Sequence, residues 1–391
     1  MTLLSVVVPV YRTPTLAQRC LDSLLHQPHA DIQVLAVDDC SPDGTGHVLD
    51  RYAARDPRVT VLHLPERVGP GPARNAGLAH VSGEYVWFVD GDDEVAPDCL
   101  PDIVERLTAT RPDVLVVDHA RLCGDRRIVR HGMNRILREA PTVFRASEYP
   151  EVMRLAPRAW NKVVRRHFLT GWNLRFPTGY YEDIPVAYPL LAGADRISAL
   201  DRVCVLHRQR RCTYVQRAWG PQHLELLGQY ELAFQRLIAL GDRAEPLLPI
   251  VFDRAVRQLL TMLDRDGIGD GFRRPYFQQA GKLCSLYQPA GYHGPRGALD
   301  RLRYRLLAQG SWPMYHRLWR AHKLLRTVRP ALHWPWHGGP AGPGYGGHQH
   351  PVGRRHRIAP GAVTAALPTL MCPGTGRAVD VEEGWRRPRV R

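Results

Sequence analysis

The run Tyr85-Val86-Trp87-Phe88-Val89-Asp90-Gly91-Asp92-Asp93 decides the reading of this chain. Five β-branched or aromatic residues lead straight into three carboxylates interrupted by one glycine. A continuous apolar run of that length predicts a strand buried on both faces, as in a parallel sheet. Carboxylates at the C-terminal end of such a strand sit where open α/β sheets bind ligands. Gly91 lets the backbone turn and a ligand come close. Neighbouring carboxylates repel unless a cation neutralises them, and a hard divalent ion shared with substrate phosphate does so. Alone, Asp-x-Asp favours a solvated acidic turn; the flanking sequence reverses that preference.

Upstream, Leu3–Val10 reads as a first buried strand, Ile32–Val37 as a second ending in Asp38-Asp39, and Val59–Leu64 as a third. Helical spacing marks Thr15–Leu25, Val48–Ala54 and Ala73–Val81, the last after a chain break at Gly69-Pro70-Gly71-Pro72. Downstream, a helix is expected over Pro97–Thr110, with Pro97 in its first turn, and a strand over Val114–Asp118. Strand and helix alternate with short connections, which predicts an α/β fold with a mostly parallel sheet flanked by helices. Three strand ends (Pro9-Val10-Tyr11, Asp38-Asp39 and Asp90-Gly91-Asp92) then meet at one edge.

The chain has 391 residues, 44% of them apolar, enough for one large domain with additions or for two. Its net charge of +15 is uneven. From Gly291 onward there are 17 Lys and Arg against 4 Asp and Glu, leaving 36 against 34 in the first 290 residues. The main body is nearly neutral, so a nucleic-acid partner is not expected. The eight cysteines form no Cys-x-x-Cys and no zinc spacing, and they read as thiols in a reducing compartment. No signal peptide and no membrane-spanning run is read, and a cytoplasmic location is expected.

From His119 to Val205 the pattern is less regular. A strand pair is expected near Arg127–Val143, a helix over Ala146–Leu155, and a strand over Arg202–Arg208. Helices follow at Leu224–Leu240, Ala244–Leu263 and Arg273–Leu286, then a basic helical region at Arg296–Arg329, broken near Gly310 and Pro313. Its mix of Arg, Leu and Trp is that of an interfacial helix, so an anionic membrane surface is its expected partner; the alternative is a solvated basic helix packed on the domain. The expected division is 1–210 for a catalytic domain (halves 1–118 and 119–210), 211–330 for a helical region basic from 296, and 331–391 for a tail. With 11 Gly and 8 Pro in 61 residues, the tail is expected to be disordered and dispensable.

The N-terminal half resembles the family 2 glycosyltransferases, whose fold is the GT-A nucleotide-sugar-binding fold. The resemblance runs from Leu4 to about Gln209. It rests on Ser5-Val6-Val7-Val8-Pro9-Val10-Tyr11, Val37-Asp38-Asp39-Cys40-Ser41-Pro42-Asp43-Gly44-Thr45, Gly71-Pro72-Ala73-Arg74-Asn75-Ala76-Gly77, Gly83 through Asp93, and Glu182-Asp183. Five motifs in family order make it specific. Cys40 stands where the family usually has Gly or Asn, and Arg12 where Asn is common. A looser likeness, from Tyr181 to Leu240, is to actinobacterial proteins in which such a domain precedes a CDP-glycerol glycerophosphotransferase domain of teichoic acid synthesis.

The resemblance implies roles. Pro9, Val10 and Tyr11 would line a nucleobase pocket, and Asp39 would accept a hydrogen bond from the base. Arg74 and Asn75, at a helix start, would meet the diphosphate of the donor. Asp90 would reach the ribose, beside Gly91, and Asp92 would hold Mn²⁺ or Mg²⁺. Glu182 and Asp183 would face the acceptor, with Asp183 as general base for transfer with inversion. Trp160 and Lys162 would lie near the acceptor, although Trp160 reads equally as core. The expected activity is metal-dependent transfer from a nucleotide-diphospho sugar to a cell-envelope glycan or lipid-linked acceptor, peripheral to the inner face of the plasma membrane. The rivals are a nucleotide-sugar-binding module without turnover, a dinucleotide-dependent oxidoreductase and a basic nucleic-acid binder. No Gly-x-Gly-x-x-Gly follows the first strand, against the oxidoreductase.

Overall fold

The strand Leu4–Val10 (β1) leaves no side chain exposed, and the sheet grows on both sides of it. The computed structural model describes residues 2–28, 31–123, 127–130, 134–209, 221–264 and 270–328. β1 pairs in parallel with Ile32–Asp38 (β2) and Tyr85–Phe88 (β4), and β2 pairs in parallel with Val59–His63 (β3). Pro14–Leu25 (α1), Thr45–Ala53 (α2) and Pro70–Leu78 (α3) make the crossovers. Beyond β4 the sheet is mixed. Lys162–Arg165 (β8) runs antiparallel between β4 and Val114–Cys123 (β6). Ile197–Gln209 (β9) is parallel to β6, while Glu94–Val95 (β5) and Arg127–Arg130 (β7) pair antiparallel with β9 and β6. The order is β3-β2-β1-β4-β8-β6-β9-β5, with β7 on β6.

Side-chain alternation splits the apolar residues between two faces. Val6, Val8, Val34, Ala36 and Trp87 join one cluster with Leu21 of α1, Leu49 of α2 and Ile103 of Leu100–Thr110 (α4). Val7, Leu35, Val37, Val86 and Phe88 join the other, with Ala73 of α3 and Tyr188 of Ile184–Gly193 (α7). All ten residues of α7 are buried, as a helix apolar all round must be. It is covered by the helix Glu225–Ile238; Leu248–Asp264, Asp270–Tyr287, Ala298–Ala308 and Trp312–Val328 follow. Phe234, Phe252, Phe277, Tyr304 and Tyr315 from these helices belong to the same cluster as Val7 and Phe88.

Several local expectations shift. α3 begins at Pro70, so Pro70-Gly71-Pro72 is its first turn rather than a break; Pro at the first helical position costs no hydrogen bond. α4 begins at Leu100, leaving Pro97 outside, because the Gln27 amide oxygen accepts the Cys99 and Leu100 N–H groups there. Ala146–Leu155 yields only a 3₁₀ turn at Pro150–Arg154. Pro150 disfavours helix at Tyr149, and Pro157 does the same at Ala156. In place of a strand pair over Arg127–Val143 there is β7 and a short helix, Asn134–Arg138 (α5). The basic region splits into two helices at Gln309–Ser311, as Gly310 and Pro313 predict. The expected tail at 331–391 lies outside the described residues. Among those residues no helix is long and apolar enough to cross a membrane, and Cys20, Cys40, Cys99, Cys204 and Cys284 are free thiols.

Candidate active site

A cleft of about 300 Å³ opens at the C-terminal edge of β1, β2 and β4. The end of β1 contributes Pro9, Val10 and Tyr11, the end of β2 contributes Asp39, and the turn after β4 contributes Asp90, Gly91 and Asp92. Arg74 and Glu182 close its far side. Gly91 is needed for closure: a Cβ there would lie 2.8 Å from both the Pro9 carbonyl oxygen and a Val10 methyl. Asp39 accepts the Val68 and Gly69 N–H groups at 2.7 and 2.9 Å, fixing the loop before α3 over the cleft. That loop supplies a residue absent from the expected set. The Arg67 guanidinium lies 4.2 Å from the centre of the Tyr11 ring. Nothing in the sequence pairs them, because 55 intervening residues fold between.

Arg74 is 2% exposed and sits in the second turn of α3. The helix start offers few free donors, since Pro70 and Pro72 have no N–H and the Ala73 N–H bonds Gly69 O. The guanidinium meets carboxylates: Asp90 Oδ1 at 2.6 Å, Glu182 Oε1 at 2.6 Å and Asp183 Oδ1 at 3.3 Å. Burial works against its charge, but the three anions outweigh burial and hold its pKa well above the usual value. Asn75, expected beside the diphosphate, does not line the cleft. Its side chain donates to Phe176 O at 2.7 Å and accepts Phe176 N–H at 3.0 Å, clamping α3 to the segment before Glu182.

Asp183, at the start of α7, also lies outside the cleft lining. It faces a much smaller cavity with Phe88, Arg158, Lys162 and Phe176. Burial pushes its pKa up to about 6, Arg74 opposing and Glu182 adding to the shift. Its Oδ1 makes no hydrogen bond among the described residues. Lys162 is buried in the same cavity wall, donates to Asn161 Oδ1 at 2.7 Å and Arg158 O at 3.0 Å, and is pushed down to about 7 by burial. Trp160 is 3% exposed and packs in the core, its carbonyl accepting the Trp87 indole N–H at 2.7 Å, so it offers no open sugar-stacking face.

Asp93 differs from its acidic neighbours. It is buried, with both oxygens 3.0 Å from His207 Nδ1, and it accepts the Arg208 N–H at 2.9 Å. Burial pushes its pKa up to about 6 against the pull of His207. This contact pins the acidic turn to β9. Asp90, Asp92 and Asp93 bring one oxygen each within 4.8 Å of one another. Asp90 and Asp92 line the cleft whereas Asp93 is buried against His207, so Asp90 and Asp92 are the carboxylates placed to meet a hard cation there. An all-carboxylate set opening on a cleft fits Mg²⁺ or Mn²⁺.

Residues 5–168 match the family model described as glycosyl transferase family 2. This part of the chain belongs to that family. EpsJ of Bacillus subtilis (strain 168), described as an uncharacterized glycosyltransferase, is 29% identical over 260 residues, 64% of this chain and 75% of EpsJ. TuaG of the same organism, a putative teichuronic acid biosynthesis glycosyltransferase, is 39% identical over 98 residues, 25% of this chain and 39% of TuaG. Among solved structures, S. aureus TarS 1–349 in complex with UDP-GlcNAc aligns with a TM-score of 0.66 at 19% identity, over 82% of this chain and 92% of that one. At that identity the likeness shows the fold. The expectation of a GT-A fold followed by a helical region therefore holds, and the likeness to TarS covers 82% of the chain.

Proposed function

We propose that the chain is an inverting glycosyltransferase moving a sugar from a nucleotide-diphospho sugar to a hydroxyl of a cell-envelope glycan or its lipid-linked precursor. The observation that carries this is the convergence of Tyr11, Asp39, Asp90, Asp92 and Glu182 on one cleft around the buried Arg74. Tyr11 and Arg67 offer a stacked face for a base, and Asp39 an acceptor for its N–H. The envelope acceptor follows from the likeness to TuaG, and the UDP-GlcNAc complex of TarS makes UDP-sugars the first donors to test. The free thiols at Cys20, Cys40, Cys99, Cys204 and Cys284 support a reading in which the work is done on the cytoplasmic side, where thiols stay reduced.

In the proposed reaction the acceptor oxygen attacks the anomeric carbon as its bond to the diphosphate breaks, and Asp183 takes the hydroxyl proton. A raised pKa suits Asp183 to that role, and its Oδ1, though 3.3 Å from Arg74, makes no hydrogen bond among the described residues. Glu182 is held by Arg74 and orients it. Asp92, with Asp90 beside it, would hold Mn²⁺ or Mg²⁺, which supplies charge neutralisation for the leaving diphosphate. Asp183 lies behind Arg74 rather than in the cleft, and this favours one second reading: a nucleotide-sugar-binding module without turnover. A panel of nucleotide sugars separates the two, with titration calorimetry for binding and release of nucleoside diphosphate for turnover, each with divalent ion and with chelator. Binding with acceptor-dependent release supports transfer; binding without release supports the module; absence of binding rejects both.

A further inference from the structure

Between Asp270 and Val328 the sequence has 11 Lys and Arg against two acids, Asp270 and Asp300. Asp300 is already matched, since its carboxylate lies 3.2 Å from the buried Arg303. Seven large hydrophobic side chains are exposed among the described residues, and five of them (Phe272, Leu286, Leu302, Met314 and Leu324) lie in this stretch. Exposed apolar patches rimmed by polar residues mark protein–protein or membrane interaction sites.

The last two helices sort these residues by face. In Ala298–Ala308, Arg303, Tyr304, Leu306 and Leu307 are buried, while Arg301, Leu302 and Arg305 point outward. In Trp312–Val328, Tyr315 is buried and Trp312, Leu318 and Trp319 pack on the core. Met314, Arg317, Ala321 and Leu324 are exposed and recur at helical spacing on the opposite side, flanked by Arg320. The inward face already has its apolar partner. Among the described residues, the outward sides of the two helices thus carry exposed Leu302, Met314, Ala321 and Leu324 set among cations.

We propose that these two helices form a docking face for an anionic lipid bilayer. Arginines draw the face to the headgroups, and Leu302, Met314 and Leu324 enter the boundary between headgroups and acyl chains. A polyphosphate or nucleic acid would use the arginines alone and leave the exposed apolar side chains without a role. The inference stands apart from the transfer reading, because it uses no cleft residue.

The test is flotation of the full chain with vesicles of phosphatidylcholine alone or equimolar with phosphatidylglycerol, at low and high salt. The wild type is expected to float with the anionic vesicles only, less so at high salt. Leu302→Ser, Met314→Ser and Leu324→Ser combined should lower the partition coefficient by about tenfold or more. Arg301→Gln, Arg305→Gln, Arg317→Gln and Arg320→Gln combined should do the same. Neither set should change donor binding or melting temperature, because all seven side chains are exposed. Equal flotation with neutral vesicles, or full binding by the triple Ser variant, overturns the proposal. Heparin binding unaffected by the serines, without vesicle binding, would assign the face to a soluble polyanion instead.

Discussion

At Asp92 the carboxylate is half-buried and opens on the cleft, whereas at Asp183 it is 5% exposed and shares its small cavity with a lysine. The two substitutions should therefore separate cleanly. Asp92→Ala should reduce donor affinity in the presence of Mn²⁺ to the level the wild type shows with chelator, leaving the melting temperature unchanged. A variant still responding to metal would move the ion elsewhere. Asp183→Asn should keep donor affinity and lose about 10²–10⁴-fold in transfer rate, the span of a positioned base. Glu182→Gln, made alongside, tests the cleft-facing carboxylate for the same role. If Glu182→Gln shows the larger rate loss at unchanged donor affinity, the assignment reverses. The pH profile gives an independent reading. A base must be ionised to accept a proton, and burial pushes Asp183 up to about 6. The wild-type rate should fall as pH drops through about 6, instead of through the ordinary carboxylate range near 4.

One arginine joins α3, the turn after β4 and the start of α7, since Arg74 bonds Asp90 and Glu182 from opposite ends of its guanidinium. Removing it as Arg74→Met should cost about 3–5 kcal/mol, the penalty for leaving buried charge unmatched, and urea denaturation should read it directly. A loss within 1 kcal/mol would mean that the carboxylates relax to solvent. This contact also marks where the sequence stops being legible. Arg74 and Glu182 are 108 positions apart, and no periodicity joins them. The strands β1, β2 and β4 were readable because burial on both faces forces a continuous apolar run, and their ends delivered Tyr11, Asp39 and Asp92 to one cleft as expected. Asn75 and Trp160 carry the same residue types a ligand site would use, but long-range partners claim them: the Phe176 main chain for one, Trp87 and the core for the other. His207 gave no signal, being one histidine in a basic run until β9 sets it against Asp93.

Across the whole chain the hydrophobic cluster that holds Val7 and Phe88 runs on through Tyr230, Phe252 and Tyr315. A fragment ending at 210, the limit of the family motifs, would keep α7 but expose the apolar side of it that Glu225–Ile238 covers. Exposed apolar surface of that extent leaves a chain short of the burial that must offset conformational entropy. Such a fragment should lack a cooperative melting transition and bind a hydrophobic dye, even though it retains every proposed donor residue. A chain ending at 330 keeps every described residue of the cluster. Composition supports its sufficiency, because the last 61 residues combine 11 Gly and 8 Pro with no acid before Asp380. That shorter chain should melt within error of the full one and transfer sugar at the same rate. A loss of several degrees would show that residues 331–391 pack on the enzyme. A loss of rate at unchanged melting temperature would place them in acceptor binding.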